Sequence, residues 1–525
     1  MNRPSVPYRV LYSNDTTNIT TCVSPYHSSP GEPFRPEMLR ETVKEVAGKV
    51  DAHLIQLCTG RVPWHKSRMY PIEEHHRWWS EHYGVPLDDK AFDVSGYHRY
   101  LLEGGDILQD FIEACREFGQ AAFVSIRLND SHFIEFADEP GNRRGIHCIS
   151  RFYVEHPEYR LGTDKRDWYQ RNCNWIYPEV REQMFRMIEE QCENYDLDGY
   201  ELDFQRHPRF FRVEETTLEE RRSIMTDFVR RVRELLDRTR RNGRYRYLSV
   251  RIPCFLSMLD DIGVDVKAMA EAGVDIVNVS DHYFTEQDTD FAKIKALLPD
   301  TAVYLELCHC LYSGKAVKAG AYDNFTFRRV TDEEFYTTAH LAYAQGAQGI
   351  SLFNFVYYRQ HGSEGRGPFH EPPFHVLPRL GDPAWLAKQP QHYILTPGWH
   401  SWNGVIQSVP TSLPHTLEAG ETHRIPLDLA PPINGWSTDA RLRLQTEDAL
   451  NGQSLTVAFN GTVLTAAEDI REPYPSPYTP LLGDETTLRG WTVPRPLLRE
   501  GSNAIDVTLE AGENIRLLVA DLAVR

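Results

Sequence analysis

Two carboxylates, Glu201 and Asp203, stand in a segment whose alternation predicts a β-strand. The segment, residues 197–208, reads LDGYELDFQRHP. Successive side chains of a strand point to opposite faces, so Glu201 and Asp203 share one face while Leu202 and Phe204 share the other. Burial of two carboxylates is costly unless they find partners. A structural ion pair with a nearby arginine is one explanation, and a group of residues that transfers protons is the other.

Polar side chains recur at the ends of other apolar segments, which favours the second explanation. Asp281 follows one such segment and Glu306 lies within another, while Arg127 and Arg251 belong to two more. An arginine in this position orients a carboxylate or holds a substrate through its planar guanidinium. Converging ionisable groups of this kind support acid–base chemistry. The remaining candidates for substrate contacts are Asn129, Asp130, His132, Arg206, His207, His282, Asn354, Tyr357 and Trp64.

Two carboxyl groups on either side of one bond are the general requirement for hydrolysis of a glycoside. One group donates a proton to the leaving oxygen, and the other attacks carbon or activates water. The two groups lie about 5 Å apart in retaining enzymes and roughly 6.5 to 9.5 Å apart in inverting ones. We rank Asp203 first, Asp281 and Glu306 nearly level as the acid, and Glu201 last. This chemistry needs no cofactor, and we expect none.

The alternation of short apolar segments with helical patterns, up to about residue 358, is typical of repeated βα units. Eight units predict a closed (β/α)8 TIM barrel, whose active site lies at the carboxyl ends of the strands. An open doubly wound sheet is the alternative, but no Gly-rich dinucleotide fingerprint or phosphate loop follows any early strand. Thr217 and Glu220 predict a capping box at the start of a helix between the fourth and fifth strands. The predicted strands are Tyr8–Asn14, Ala52–Cys58, Ala121–Leu128, Leu197–Phe204, Tyr247–Ile252, Val274–Ser280, Ala302–Cys308 and Gly349–Phe355.

From about residue 396 the sequence changes to short alternating strands separated by Gly, Asn and Pro turns, which predicts an antiparallel β-sandwich. We therefore assign residues 1–395 to a catalytic barrel and residues 396–525 to an accessory domain that binds carbohydrate or braces the barrel. Two barrel connections, 59–110 and 129–179, are long, and long loops inside a compact domain are usually functional. The aromatic residues of these loops either stack on sugar rings or supply the loops with small cores of their own.

The composition of the 525-residue chain argues against several classes of partner. With 75 acidic and 57 basic residues the net charge is −18, which disfavours nucleic acid and anionic membranes. No run of about 18 apolar residues and no signal-peptide pattern occurs, so we expect a cytosolic protein, or a secreted one whose signal peptide has been removed. Nine cysteines, an odd number, do not form a disulfide framework.

The segment LDGYELDFQRHP resembles the fourth-strand motif of glycoside hydrolase-like barrels, and more distantly that of the alpha-amylase and alpha-galactosidase barrels. The resemblance covers roughly residues 8 to 395 and implies the same barrel. It also implies that Asp203 is the nucleophile or general base and that Arg206 and His207 shape a sugar subsite. By location, Asp281 or Glu306 matches the second carboxylate. The departure is Glu201, because such relatives often carry Lys, Arg or His there.

Two further hypotheses remain open beside a glycoside hydrolase acting on an oligo- or polysaccharide. The first is a non-catalytic carbohydrate-binding barrel with a degenerate site. The second is a metal-dependent barrel hydrolase that uses Asp130, His132, His282 and His309, although the paired histidines expected near the first strand of such enzymes are missing.

Overall fold

Eight parallel strands form a closed barrel in the computed structural model, which describes residues 3–21, 33–92, 96–312, 327–356, 372–397, 411–475 and 485–525. In chain order the strands are β1 Val10–Asp15, β2 Ala52–Gln56, β3 Ala121–Arg127, β4 Gly199–Asp203, β5 Tyr247–Pro253, β6 Ile276–Ser280, β7 Ala302–Leu307 and β8 Gly349–Phe353. Each strand pairs with its neighbours in the chain, and β1 pairs with β8 to close the barrel. The eight predicted strands are confirmed, with ends that differ by at most two residues.

The barrel interior is apolar at the amino ends of the strands and polar at the carboxyl ends. Leu11, Leu54, Phe123 and Ile276 pack together near the amino ends. Gly199 lets Phe123 fill this end, because a Cβ on Gly199 would lie only 2.0 Å from a ring carbon of Phe123. Further along the strands, the neighbours in register on β3 to β6 are Arg127, Asp203, Arg251 and Asn278. The barrel therefore has an apolar floor and a polar mouth.

Helices connect the barrel strands and surround them. The helix α8 begins as the sequence predicts, because the Thr217 side chain accepts a hydrogen bond from the Glu220 N–H while the Glu220 carboxylate accepts one from the Thr217 N–H. The two long connections are partly helical, since α3 and α4 lie within the first and α6 within the second. No helix in the described ranges has the length and apolar character needed to cross a membrane. The helices are α1 Asn18–Thr21, α2 Pro36–Lys44, α3 Ile72–Tyr83, α4 Tyr97–Leu102, α5 Ile107–Glu117, α6 Arg151–Glu155, α7 Pro178–Asn194, α8 Leu218–Arg238, α9 Leu256–Ile262, α10 Val266–Ala272, α11 Phe291–Leu297, α12 Asp332–Ala344, α13 Leu377–Leu380 and α14 Pro383–Leu386.

Two antiparallel sheets follow the barrel and form the C-terminal β-sandwich that the sequence predicts. In the first sheet β9, β18, β12, β16 and β15 lie side by side, and β10 pairs with β18. The second sheet has the order β11, β17, β13, β14. Strand β9 belongs to the first sheet although it precedes residue 396, where we placed the start of the sandwich. The strands are β9 Gln391–Leu395, β10 His415–Leu417, β11 Thr422–Leu429, β12 Ala440–Thr446, β13 Ser454–Phe459, β14 Thr462–Val463, β15 Thr465–Ala467, β16 Leu488–Val493, β17 Gly501–Ala511 and β18 Ile515–Val524.

The sandwich contacts the barrel through buried polar groups of α12. His392 on β9 lies between Glu334 on α12 and Asp521 on β18, at 3.4 Å from the first carboxylate and 3.3 Å from the second. Arg443 also pairs with Asp521. The side chain of His340, also on α12, contacts the carbonyl of Pro431 at 3.0 Å. These contacts hold the first sheet against the outside of the barrel.

Candidate active site

Arg251 is the centre of the polar mouth. It lies on β5, is fully buried, and its Nε and Nη2 atoms donate to the Glu306 carboxylate at 2.7 to 3.1 Å. Its Nη1 donates to Oδ2 of Asp203 at 3.0 Å, so that one guanidinium joins β4 and β7. Nη2 also donates to Ser280 Oγ and to the carbonyl of His282. A buried guanidinium is stable only when opposite charges and hydrogen-bond acceptors surround it, and Arg251 has both.

The backbone that directly follows Asp203 fixes its side chain at the carboxyl end of β4. Its Oδ1 accepts the N–H groups of Gln205 and Arg206 at 2.8 and 3.0 Å, an arrangement that turns the chain out of the strand. Its Oδ2 accepts from Arg251 and, among the residues described here, from no second donor. A carboxylate oxygen can accept more than one hydrogen bond, so Oδ2 retains capacity for a further partner.

Glu201 lies deeper in the barrel, between two hydroxyl groups. Ser125 on β3 donates to its Oε1 at 2.8 Å, and Ser249 on β5 donates to its Oε2 at 3.0 Å. Burial, together with the negative charge of Asp203, raises the pKa of Glu201 from 4.5 to about 7. Glu201 therefore changes charge close to neutral pH, although its side chain is fully buried.

Glu306 has its hydrogen-bonding capacity occupied by fixed donors. Besides Arg251, the Nδ2 group of Asn278 donates to its Oε2 at 2.9 Å, and Ser280 Oγ donates to its Oε1 at 2.6 Å. Few lone pairs remain for a substrate. Of the two carboxylates that bind Arg251, Asp203 is the more available, which agrees with its rank in the sequence analysis.

A second ion pair lies on the β1 side of the mouth. Arg127 bonds to Asp15, the last residue of β1, and to Asp130 at 3.2 Å. Asn354, directly after β8, donates to Asp15 Oδ2 at 2.7 Å and accepts the Asp15 N–H at 2.9 Å. Burial opposes ionisation of Asp15, but the charge and hydrogen bond of Arg127 outweigh it and lower the pKa. The sequence analysis named Arg127 and Asn354 but missed Asp15, whose signal was an acidic residue directly after the first predicted strand.

Arg206 is placed between two histidines. Its Nη2 donates to Nε2 of His132 at 2.6 Å, and its Nη1 donates to Nε2 of His282. The Nδ1–H of His132 is then free to donate to Asp130, at 2.7 Å. Burial and the charge of Arg206 keep the pKa of His282 well below its usual range, so this histidine is neutral. The three residues form one side of the mouth, above the Arg251 cluster.

His207 and the long β3–β4 connection form a neighbouring wall. The Trp168 ring stacks on the His207 ring with 5.0 Å between centroids, and the His132 ring meets His207 edge-on at 4.7 Å. Ser131 N–H donates to His207 Nδ1 at 3.1 Å. Trp168 is thus an aromatic residue of this connection that approaches the candidate site, and the sequence analysis did not select it.

Asp281 and a missed carboxyl, Glu286, follow β6. Asp281 is 5% exposed and its Oδ1 lies 4.0 Å from the Cys254 thiol. Glu286 is buried, and burial together with the charges of Asp281 and Asp288 raises its pKa well above the usual value. Glu286 therefore holds a proton more readily than an ordinary glutamate does. Its only sequence signal was its place six residues after the end of a predicted strand.

Two of the predicted contact residues, Asn129 and Trp64, have other surroundings. Both side-chain atoms of Asn129 bond to the backbone, to Cys173 N–H and carbonyl among others, so this side chain braces the β3–β4 connection. Trp64 is 2% exposed, packs against Tyr97 and donates to the carbonyl of His147, which argues against the predicted sugar contact. Tyr357 lies outside the described residues.

The four residues of the predicted metal site are not brought together. In the described part of the chain the group with suitable spacing is Asp130, His132 and His207, whose possible ligand atoms lie within 4.8 Å of one another. Both ring nitrogens of His132 are already hydrogen-bonded, Nδ1 to Asp130 and Nε2 to Arg206. Burial and the charge of Arg206 keep the pKa of His207 well below its usual range, and the same guanidinium repels a cation. His309 lies apart, 3.2 Å from Arg329. The donor set does not fit a metal ion.

Comparisons with known proteins give only distant relatives. No protein-family model and no curated protein matches the sequence. Among solved structures, the chain is similar to alpha-L-fucosidase isoenzyme 1 from Paenibacillus thiaminolyticus (11% identity, TM-score 0.36, covering 96% of this chain and 97% of that one). It is also similar to an alpha-amylase from Geobacillus thermoleovorans (12%, 0.35, 97% and 98%) and to a Group II chitinase catalytic domain from Ostrinia furnacalis (10%, 0.37, 71% and 96%). The names of these neighbours are those of enzymes that act on carbohydrates, but TM-scores below 0.5 carry no inference about the activity of this chain.

The chemistry available at the mouth follows from the contrast between its carboxyl groups. Asp203 is ion-paired and has an oxygen with remaining capacity, whereas Glu201 exchanges its proton near pH 7. Their α-carbons are two residues apart on one strand, a distance of about 6.6 Å. Pairs of carboxyl groups whose surroundings separate their proton affinities are suited to acid–base work.

Proposed function

We propose that the protein is a glycoside hydrolase that cleaves an oligo- or polysaccharide at the carboxyl ends of the barrel strands. The observation that carries the proposal is the Asp203–Arg251 pair beside Glu201, whose pKa is raised to about 7 by burial and by the charge of Asp203. In this proposal Asp203 is the nucleophile or general base and acts through Oδ2. Arg251 orients Asp203, and Glu306 orients Arg251.

The second carboxyl group of the reaction is assigned to Asp281. It follows β6, which is separated from β4 only by β5, and it lies at the same end of the barrel as Asp203. Glu286, a buried carboxyl whose pKa is raised by burial and by the charge of Asp281, lies in its neighbourhood. Glu201 is the second candidate for the proton donor, because its pKa suits exchange at neutral pH but its position is deeper.

The proposal is tested by release of reducing sugar from an array of oligo- and polysaccharides. We expect Asp203→Asn to reduce turnover of the best substrate by at least 100-fold, the loss typical of removing one positioned acid or base. Asp281→Asn is expected to give a comparable loss, while Asp227→Asn, on the exposed face of α8, serves as the matched control. Full activity in Asp203→Asn would overturn the assignment.

A non-catalytic carbohydrate-binding barrel is the second candidate, and one observation favours it. The oxygens of Glu306 and one oxygen of Asp203 are held by fixed hydrogen-bond donors, which suits a rigid binding surface as well as a reacting one. Sugar binding without turnover in the wild-type protein, with unchanged affinity in Asp203→Asn, would select this function over hydrolysis.

A further inference from the structure

The outer strand of the first sandwich sheet, β9, meets the barrel with its edge. An edge strand presents backbone N–H groups that have no partner within its own sheet. The His392 N–H donates to Thr337 Oγ1 on α12 at 2.7 Å. Two residues further along, the Ile394 N–H donates to Gln287 Oε1 at 2.9 Å. Gln287 belongs to the connection between β6 and α11, residues 281–290, which we call the β6 loop. The β6 loop therefore helps to complete the hydrogen bonds of this sheet edge.

Two side chains of the sandwich also contact the β6 loop. Thr396, directly after β9, donates through Oγ1 to Glu286 Oε2 at 3.3 Å, and both residues are buried. Ser412, which precedes β10, donates to Asp288 Oδ2 through its N–H at 3.3 Å and through its Oγ at 3.0 Å. The sandwich thus holds three consecutive residues of the loop, 286–288.

The barrel fixes the β6 loop on both sides of these three residues. On one side, the Thr285 N–H donates to the carbonyl of Cys310 at 2.8 Å. On the other side, the Asp290 N–H donates to the carbonyl of Cys254, directly after β5, at 3.0 Å. Because the loop is bonded to the barrel at two points and to the sandwich between them, its conformation depends on both domains.

Glu286 connects these contacts to Asp281, the first residue of the β6 loop. The Phe284 N–H donates to the Asp281 carbonyl at 3.2 Å, so the chain turns back directly after Asp281. Glu286 follows this turn. Burial raises the pKa of Glu286 well above its usual value, and the charge of the nearby Asp281 adds to the effect. A displacement of Glu286 therefore alters the surroundings of Asp281.

We propose that the sandwich completes the candidate active site, with Thr396 and Ser412 as positioning residues that hold the β6 loop, and thereby Asp281, where Asp281 reacts. This role rests on the proposed function for the reaction that Asp281 performs. The restraint on the loop itself belongs to the fold and is present whether or not a glycosidic bond is cleaved. It gives the sandwich a part in turnover that neither carbohydrate binding nor general bracing of the barrel provides.

Steady-state hydrolysis of the best substrate in the oligo- and polysaccharide array tests the positioning role in the full chain. Thr396→Val removes the hydroxyl and keeps the shape of the side chain, and Ser412→Ala removes the hydrogen bond from Oγ. We expect each variant to lower kcat roughly ten-fold or more with KM unchanged, because Asp281 is misplaced while the groups that bind substrate are not. Thr396→Ser keeps the hydroxyl and is expected to restore kcat.

Thr446→Val is the matched control. The Thr446 hydroxyl is buried on β12 and donates to two backbone carbonyls of the sandwich, at 2.7 and 3.2 Å. This variant therefore loses hydrogen bonds that lie within the sandwich. We expect its melting temperature to fall at least as far as that of Thr396→Val, while its kcat stays at the wild-type value.

Amide hydrogen exchange of the β6 loop provides a readout that needs no substrate. Glu286 Oε1 accepts the N–H groups of Gln287 and Asp288, both at 2.9 Å, so these two amides are protected while Glu286 stays in place. In Thr396→Val we expect them to exchange roughly three- to ten-fold faster, the effect of losing one hydrogen bond. Thr446→Val should leave their exchange unchanged.

Faster exchange of the β6 loop together with a lower kcat, and restoration in Thr396→Ser, supports the positioning role. Wild-type exchange in both Thr396→Val and Ser412→Ala overturns it, and so does a loosened loop with wild-type kcat. An equal loss of kcat in Thr446→Val also overturns it, because the loss would then follow from lower stability of the sandwich. If the wild type cleaves no glycoside but loop exchange depends on Thr396, the restraint on the loop is supported and only the hydrolase is refuted. Wild-type turnover that neither variant lowers supports the hydrolase and refutes only the positioning role.

Discussion

Replacement of Glu201 by glutamine should stabilise the protein above neutral pH. Glutamine has the shape of glutamate, and its side-chain oxygen can still accept from Ser125 Oγ, while its amide can donate to Ser249 Oγ after the hydroxyl rotates. The main change is the loss of the negative charge of Glu201. Because burial and the neighbouring Asp203 disfavour that charge, its removal takes away a cost that the folded state bears only when Glu201 is ionised.

The size and sign of the effect follow from the raised pKa. Between pH 4.5 and about 7 the folded protein binds a proton at Glu201 that the unfolded chain has released, so this group's contribution to stability falls as the pH rises through that interval. A tenfold change in ionisation corresponds to about 1.4 kcal/mol. The shift from 4.5 to about 7 therefore lowers the free energy of unfolding by about 3 kcal/mol at pH 8. At pH 5 the loss is less than about 1 kcal/mol.

Urea unfolding followed by tryptophan fluorescence at pH 5 and pH 8 measures the difference between wild type and Glu201→Gln. We expect the variant to be more stable by about 3 kcal/mol at pH 8 and to be close to wild type at pH 5. Titrating groups remote from Glu201 affect both proteins equally, so the difference isolates the contribution of Glu201 and the charges beside it. Glu81→Gln, on the exposed surface of α3, is the matched control and should show no such dependence. A variant that is less stable than wild type at pH 8, or a difference that is the same at both pH values, would refute the reasoning.

Three further predictions concern the residues that hold the site in place. Arg251→Met leaves two buried carboxylates without their cation. We expect it to lower the free energy of unfolding, measured in urea, by about 3 to 5 kcal/mol. A loss below about 1 kcal/mol would contradict the central role of Arg251. Gly199→Ala places a Cβ 2.0 Å from a ring carbon of Phe123 and should cost about 1 to 3 kcal/mol, with recovery when Phe123→Leu is added. Burial lowers the pKa of His75 from 6.5 to about 3. As the pH falls below 6.5, His75 is therefore protonated in the unfolded chain but not in the folded protein, and the folded state loses stability. Melting curves between pH 7 and pH 4 should show a smaller loss in His75→Gln, and equal slopes would show that another group is responsible.

The fold could be predicted from the sequence because it depends on local periodicity. Each barrel strand is a short apolar segment bounded by polar residues, and the helices between them show a period of 3.6 residues, so the eight units were visible without knowledge of any contact. The capping box at Thr217 and Glu220 is likewise a local pattern, and it was predicted correctly. Strand β9 was missed as part of the sandwich because its pairing with β18 joins residues that are far apart in the chain.

The candidate site was only partly predictable, because hydrogen-bond partners are long-range. The sequence placed Asp203, Arg251 and Glu306 on three strands but did not show that one guanidinium joins the two carboxylates. Trp64 and Trp168 both lie in long connections, and only packing showed that the first is in the core and the second stacks on His207. Such differences depend on how a connection folds over the barrel, which local sequence does not encode.

The sequence by itself determined the barrel, the sandwich and the face of β4 that carries Glu201 and Asp203, since these follow from side-chain alternation. Only the tertiary structure showed that the two carboxylates have different surroundings. Asp203 lies beside Arg251 and is ion-paired, whereas Glu201 lies between two hydroxyls and has a raised pKa. The physical reason is that proton affinity depends on burial and on charges brought in by other strands, and neither exists until the barrel has closed.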